Sequence, residues 1–414
     1  MSFRPPPPPM RGMWGPGPRM PPRGFGPPPP HAFGGPPGGP PPPPPPPPPG
    51  PEAAGFSMRP PFDLTLCEPM FPRVKEEEDK PLTEALLKRN TDLTPSPTEQ
   101  AAVLNLVTKV SSAIEKLVVA PELFSGATVE ESRQVGSFKK GTMMAKHCVA
   151  DIVVVLRTLP TVEAVSALGN RIVDDIKSTE PKEVLGCVPR DFGCEIAGTQ
   201  AVVRLLVTTI PPNLNKLEPD LHLDESLMRN HLAAVRHCRW FEENASHSSV
   251  KVLVRILKDV RTRFQGIRLL SVWATELLAH YSVMNTPSRQ PLPLNQAFKR
   301  VFRLLSAGLF LPGSPGLIDP CEPSTRVQYS MTFEDQDQLC STAQTLLRAL
   351  AHGGYKQILG LEGATSVATE MSVWDGVVVT PLEKAYDPKE MEPSADGHND
   401  TAMESAPPPQ QVAA

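Results

Sequence analysis

Two neighbouring strings carry side chains that could handle a phosphate and a metal ion. They are Val135-Gly136-Ser137-Phe138-Lys139-Lys140-Gly141-Thr142 and Val149-Ala150-Asp151-Ile152-Val153-Val154-Val155-Leu156. Gly136-Ser137 at a strand end lets backbone amides come close to a phosphate, and Lys139 and Lys140 could neutralise it. Asp151 sits in a run of β-branched residues, so a strand carries it, with alternate side chains on one face. The chemistry this suits is metal-assisted phosphoryl or nucleotidyl transfer, which needs several carboxylates gathered around two Mg²⁺ ions. Asp151 is the one acid in its string.

The elements that must position these residues divide the chain in two. Strands are expected at roughly 132–136 and 149–157, and again at 194–197 and 201–210, where Pro211-Pro212 ends the last. Ser96-Pro97-Thr98-Glu99 is a capping box that starts a helix running to about Val119, and a second helix is expected over 161–177. A shorter helix is expected near 83–89, preceded by an extended lead-in over Pro61–Cys67. From about Asp224 the pattern is helical: 225–241, 248–264, 270–281, a helix marked by Leu294 to Leu309, and 332–352 closed by Gly353-Gly354. The expected class is α+β, a mixed-sheet lobe over 61–218 followed by an all-helical lobe over 219–386. Residues 1–60 form a Pro-rich arm that includes the run Pro40–Pro49, and 387–414 a tail; neither has enough apolar surface to offset its ordering entropy, so both are expected to be disordered.

Composition narrows the function classes. The formal net charge of −4 offers no whole-chain argument for nucleic-acid binding. Seven cysteines, widely spaced, include no CxxC pair and no zinc-finger spacing with His, so reduced thiols and no metal site are expected. No apolar window reaches the length of a membrane span, and the arm does not read as a signal peptide, so a soluble intracellular protein is expected. One local basic stripe is a candidate nucleic-acid surface: Lys251, Arg255 and Lys258 recur at i, i+4, i+7 opposite the apolar face of their helix. Arg236, Arg239, Lys299, Arg300 and Arg303 add charge; a solvated helix face is the plainer reading of all of them.

The hairpin resembles that of the oligoadenylate synthetases, which reads Gly-Ser, Gly-Lys-Gly-Thr, Asp-Ala-Asp and then Leu-Val-Val. Gly316-Leu317-Ile318-Asp319-Pro320 is similar to a segment of their helical lobe. Against that pattern Val149 replaces the first metal carboxylate, Asp151 keeps the second, and the third position falls near Thr208. The resemblance therefore implies a nucleotidyltransferase-like fold with a degenerate site, in which Gly136, Ser137, Lys139, Lys140 and Asp151 could still hold ATP or UTP with Mg²⁺ weakly. No cofactor is required. Further strings bring a closer likeness: Phe71–Lys75, Glu84–Asn90, Arg239–Ser246 and Trp374–Val377 resemble the family of the "domain associated with zinc fingers" (DZF). That resemblance, over 61 to about 386, implies a noncatalytic subunit in nuclear RNA metabolism and transcription regulation. It would pair through the helical lobe, at helices near 270–311 and 332–352, with a related DZF domain on a double-stranded-RNA-binding or zinc-finger protein. Double-stranded RNA and DNA would be bound mainly by the partner. The family's amino terminus is Arg-Gly rich and this arm is not, so functions of the ends do not carry over. An active enzyme with a rearranged metal site is the competing reading; its nearest substitute acids are Glu130, Glu131 and Glu195. The arm could also serve as a ligand for SH3 or WW modules.

Overall fold

The computed structural model describes residues 60–67, 70 and 79–362, together with the backbone of 372–374 and 377–379. The Pro-rich arm, the tail and the string Phe71–Lys75 lie outside the described residues. The described residues open with a helical turn, α1 (Leu64–Cys67), where an extended lead-in was expected. The helices α2 (Lys80–Leu93) and α3 (Pro97–Val119) follow, α3 opening with the expected capping box of Ser96 and Glu99. Then come β1 (Val129–Val135), the single turn α4 (Gly136–Lys139), β2 (Val149–Leu156) and α5 (Val162–Thr179). The strands β3 (Gly186–Arg190), β4 (Gly193–Ala197) and β5 (Val202–Thr209) complete a five-stranded sheet in the order β1-β2-β5-β4-β3. β2 and β5 are parallel at its centre, linked through α5, and the outer pairings are antiparallel.

Alternation along the strands separates two faces. Ala150, Ile152, Val154 and Leu156 of β2 join Val203, Leu205 and Val207 of β5 in a core with the apolar stripes of α3 and α5. The opposite face carries Val149, Asp151, Val153 and Val155, and is covered by α6 (Glu225–Asn244), whose Leu232, Val235 and Cys238 pack on Val153 and Val155.

The helical part comprises α7 (Ser248–Arg263), α8 (Gln265–Arg268), α9 (Val272–Met284) and α10 (Leu294–Ser306). The hairpin β6 (Ile318–Asp319)–β7 (Glu322–Arg326) follows, then α11 (Phe333–Ala351), α12 (Tyr355–Ile358) and the strand pair β8 (Ser372–Trp374)–β9 (Val377–Val379). Chain order and packing differ at two places from the division expected at 218/219. α2 buries Leu82, Ala85 and Leu86 in the helical core, and Arg89 grips Asp259 of α7 at 2.7 Å. α6 is shared: Met228 lies in the sheet core, whereas Phe241 lies in the helical one. The lead-in is held by Asp63, whose carboxylate accepts from the buried Arg300 of α10 at 2.6 Å. Arg300 is thereby removed from the candidate nucleic-acid surface.

Candidate functional site

Register decides what stands beside Asp151. In the parallel β2–β5 pair Asp151 lies opposite Arg204, and Val155 opposite Thr208. Directly paired residues share a face, so the side chain next to Asp151 on β5 is a guanidinium. It donates from Nε at 2.7 Å and from Nη2 at 2.6 Å to Asp151 Oδ1. The position near Thr208, expected from the sequence to replace the third carboxylate, is therefore displaced. Thr208 sits four residues further along the strand, fully buried, donating to the Met228 carbonyl at 3.1 Å. Arg204 is the residue that reasoning missed. The strand offers no acid, and its one cation stands beside Asp151.

One row crosses the sheet on this face: Val135 of β1, Asp151 of β2, Arg204 of β5 and Glu195 of β4. Asp151 and Glu195 flank Arg204, two strand spacings or roughly 10 Å apart. Glu195 is itself bound by Arg190 at 2.8 Å. Glu131 lies opposite Val155 and pairs with Arg133 at 2.7 Å, and Glu130 pairs with Arg157. None of the three substitute acids is brought beside Asp151.

The Gly-Ser segment is a helical turn, not the simple strand-to-strand turn expected. Gly136 has φ +71°, and a Cβ there would stand 2.1 Å from Asp151 Oδ2, so glycine is required for α4 to sit against the carboxylate. Lys139 is exposed and meets Glu242 of α6 at 3.0 Å. Lys140 was expected to face phosphate, and the structure turns it inward. Its ammonium reaches Glu276 of α9 at 2.5 Å, both side chains being almost fully buried, and lies 5.4 and 5.3 Å from the ring centres of Phe241 and Trp273. That pair ties the loop of the sheet lobe to the helical lobe.

The basic stripe of α7 meets the same loop. Arg255 donates to the carbonyls of Gly141 at 2.7 Å and Met143 at 3.2 Å, and Lys258 to Thr142 Oγ1 at 3.2 Å. Burial holds the Lys258 ammonium down to about 8, against the attraction of Glu276. Lys251 is half-buried, with its Nζ against Gly141. Arg255 and Lys258 are therefore committed to the 141–143 loop, and the expected solvent-facing nucleic-acid stripe is not formed by them. Two groups of residues read as separate sites are in fact one interlocked loop.

Three more side chains gather where α6 meets the helical part. His237 stacks on Trp273 with ring centres 4.0 Å apart, and Trp273 Nε1 donates to Asp319 Oδ2 at 2.9 Å. His237 Nε2 lies 3.5 Å from the same oxygen, and burial holds this imidazole down to about 4. The Cys321 amide donates to Asp319 Oδ1 at 2.8 Å. The likeness of Gly316–Pro320 to another family marks the segment that holds Asp319, and nothing local links it to His237.

The apolar residues of the segments 270–311 and 332–352, expected to supply a partner interface, are mostly consumed internally. Leu277, Leu278, Phe298, Val301, Phe302, Leu304, Leu305, Leu339 and Leu346 are buried in the chain's own helical core. Among the described residues, the large apolar side chains left exposed from 270 onward are Val272, Ile318, Tyr329 and Phe333, of which only Val272 and Phe333 lie in those segments. Among the described residues, no helix is long and apolar enough to cross a membrane.

Solved structures are similar to this chain. A chain of the CdnC:HORMA-deltaN complex of E. coli MS115-1 is 14% identical, with a TM-score of 0.50, over 67% of this chain and 96% of that one. A cytoplasmic RNA terminal U-transferase is 12% identical (TM-score 0.46) over 68% and 98%. The Cid1 poly(U) polymerase is 11% identical (TM-score 0.45) over 66% and 95%. The fold is nucleotidyltransferase-like, a mixed-sheet lobe joined to a helical one. The model of the DZF N-terminal domain matches residues 48–246, and that of the DZF C-terminal domain matches 249–380, so the division between them falls after α6. The chain thus belongs to the DZF family.

Proposed function

We propose that this chain is a noncatalytic nucleotidyltransferase-fold subunit. In this reading it works by pairing with a related DZF protein that binds double-stranded RNA or carries zinc fingers, in nuclear RNA metabolism and transcription regulation. The observation that carries the noncatalytic part is the Arg204–Asp151 pair. Two-metal transfer places cations about 3.5–4 Å apart between shared carboxylates. Here the one remaining carboxylate is bound from the adjacent strand by a fixed positive charge, and the next acid of the row lies beyond that charge. An enzyme with a rearranged site would have to break this pair and bring in an acid from elsewhere.

A residual nucleotide site is a smaller proposal. Gly136, Ser137 and Lys139 remain available to the phosphates of ATP or UTP, without Lys140 and with Asp151 bound to Arg204, so any affinity is weak and gains little from Mg²⁺. For pairing, we infer that the exposed Val272, Ile318, Tyr329 and Phe333 contribute to the partner surface, since large exposed apolar side chains gain most from a protein neighbour.

The test has two arms. Radiolabelled ATP and UTP are offered with RNA and Mg²⁺ or Mn²⁺, and no incorporation is expected. Affinity purification of the full chain from nuclear extract, with nuclease, is expected to retain a DZF partner, and an Ile318→Asp/Phe333→Asp variant to lose it. Incorporation that disappears in Asp151→Asn overturns the noncatalytic reading. A partner recovered by neither protein after nuclease overturns direct pairing.

A further inference from the structure

We propose that His237, Asp319 and Cys321 form a Zn²⁺ site that ties α6, the last helix of the DZF N-terminal domain, to the β6–β7 hairpin of the C-terminal domain. One donor atom from each of the three lies within 4.8 Å of the others. In a tetrahedral zinc site, bonds of about 2.0–2.3 Å put donors roughly 3.3–3.8 Å apart. Metal binding therefore draws the three donors together by about an ångström. The donor set of imidazole, carboxylate and thiolate suits Zn²⁺, and its nitrogen and sulfur do not suit Mg²⁺ or Ca²⁺.

The surroundings are those of an oriented ligand set. Trp273 holds the His237 ring by stacking and donates its indole N–H to Asp319, while the Cys321 amide donates to the other carboxylate oxygen. Each carboxylate oxygen keeps a second lone pair for a metal. Outer contacts of this kind fix first-sphere ligands in metalloproteins. The nearby charges are already matched, Lys140 by Glu276 and Arg236 by Glu322. Binding forms a Zn–S bond and releases the Cys321 thiol proton to solvent, so two anionic ligands balance the dication. Three protein ligands leave the fourth position to water. The linkage joins parts that the sequence separates widely, which is why no zinc-finger spacing announces it.

The full-length chain is tested by stripping metal, titrating Zn²⁺ against a chromophoric chelator, and recording the spectrum with Co²⁺. One Zn²⁺ per chain is expected, with a thiolate-to-cobalt charge-transfer band in the near ultraviolet. Cys321→Ser should abolish the band, and Cys321→Ser and His237→Gln should each weaken Zn²⁺ binding by at least about tenfold. Cys187→Ser, a thiol in the sheet lobe, should leave both unchanged. Far-ultraviolet circular dichroism checks that each variant is folded. A wild-type chain that retains no stoichiometric Zn²⁺, or a band that survives in Cys321→Ser, overturns the proposal.

Discussion

Replacing Glu276 by Ala removes one half of the contact that joins the α4 loop to the helical lobe. The Lys140 and Glu276 side chains are 8% and 2% exposed, so neither charge is solvated in the fold. Taking away one partner of a buried pair costs about 3–5 kcal/mol, because the other charge is left uncompensated. Phe241 and Trp273 flank the ammonium and offset part of that, on the order of 1 kcal/mol. The net loss is therefore about 2–4 kcal/mol, and at roughly 2–4 °C per kcal/mol for a body of this size Tm falls by about 5–15 °C. Thermal unfolding followed by near-ultraviolet circular dichroism reads it. Two companions sharpen the result. Lys140→Met/Glu276→Leu should regain most of the loss, since an apolar pair has no charge to strand. Glu242→Ala, which breaks the exposed contact with Lys139, should cost less than about 1 kcal/mol. A Glu276→Ala protein melting within a degree of wild type refutes the reasoning, because the Lys140 charge would then be reaching water.

Lys258 makes stability depend on alkaline pH. Its folded pKa of about 8 lies below the ordinary 10.5, so between these values the unfolded chain holds one more proton. Stability from this group is thus flat below about 8 and rises with pH up to about 10.5, by on the order of 3 kcal/mol; Lys258→Met should remove the rise in urea titrations. Arg255→Ala should cost about 2 kcal/mol through its lost carbonyl contacts. The same change should leave the salt dependence of RNA binding by the complex unaltered, where a lost phosphate contact would lower the slope by about 0.9. Asp63→Ala strands the buried Arg300 and should destabilise by about 3–5 kcal/mol in urea unfolding.

The sequence made the main elements legible where local chemistry sets them. The Ser96–Glu99 box, the β-branched strings of β2 and β5 and the stripe of α7 each appear within a few residues of their expected bounds. β3 was missed because it is a largely exposed edge strand containing Pro189, which breaks the usual strand pattern. The site was legible only in part, because its outcome depends on pairing rather than on local pattern. Val149 stands where the resemblance expects a carboxylate, but the identity of Asp151's neighbour follows from a parallel register set through the α5 crossover. Lys140 looked like a solvated phosphate ligand, since its partner Glu276 lies in another lobe. Arg255 and Lys258 formed a plausible surface stripe on a helical wheel. In the fold, the loop they were thought to be independent of covers them.

The central claim is that Arg204 takes the place of a cation at Asp151. Mn²⁺ titration in the presence of ATP, read by electron paramagnetic resonance, tests it on wild type beside a Val149→Asp/Arg204→Asp variant that restores two carboxylates next to the third. The wild type should hold no Mn²⁺ beyond what free ATP holds, and the variant should bind it. Stoichiometric Mn²⁺ on the wild type, lost in Asp151→Asn, would contradict the account.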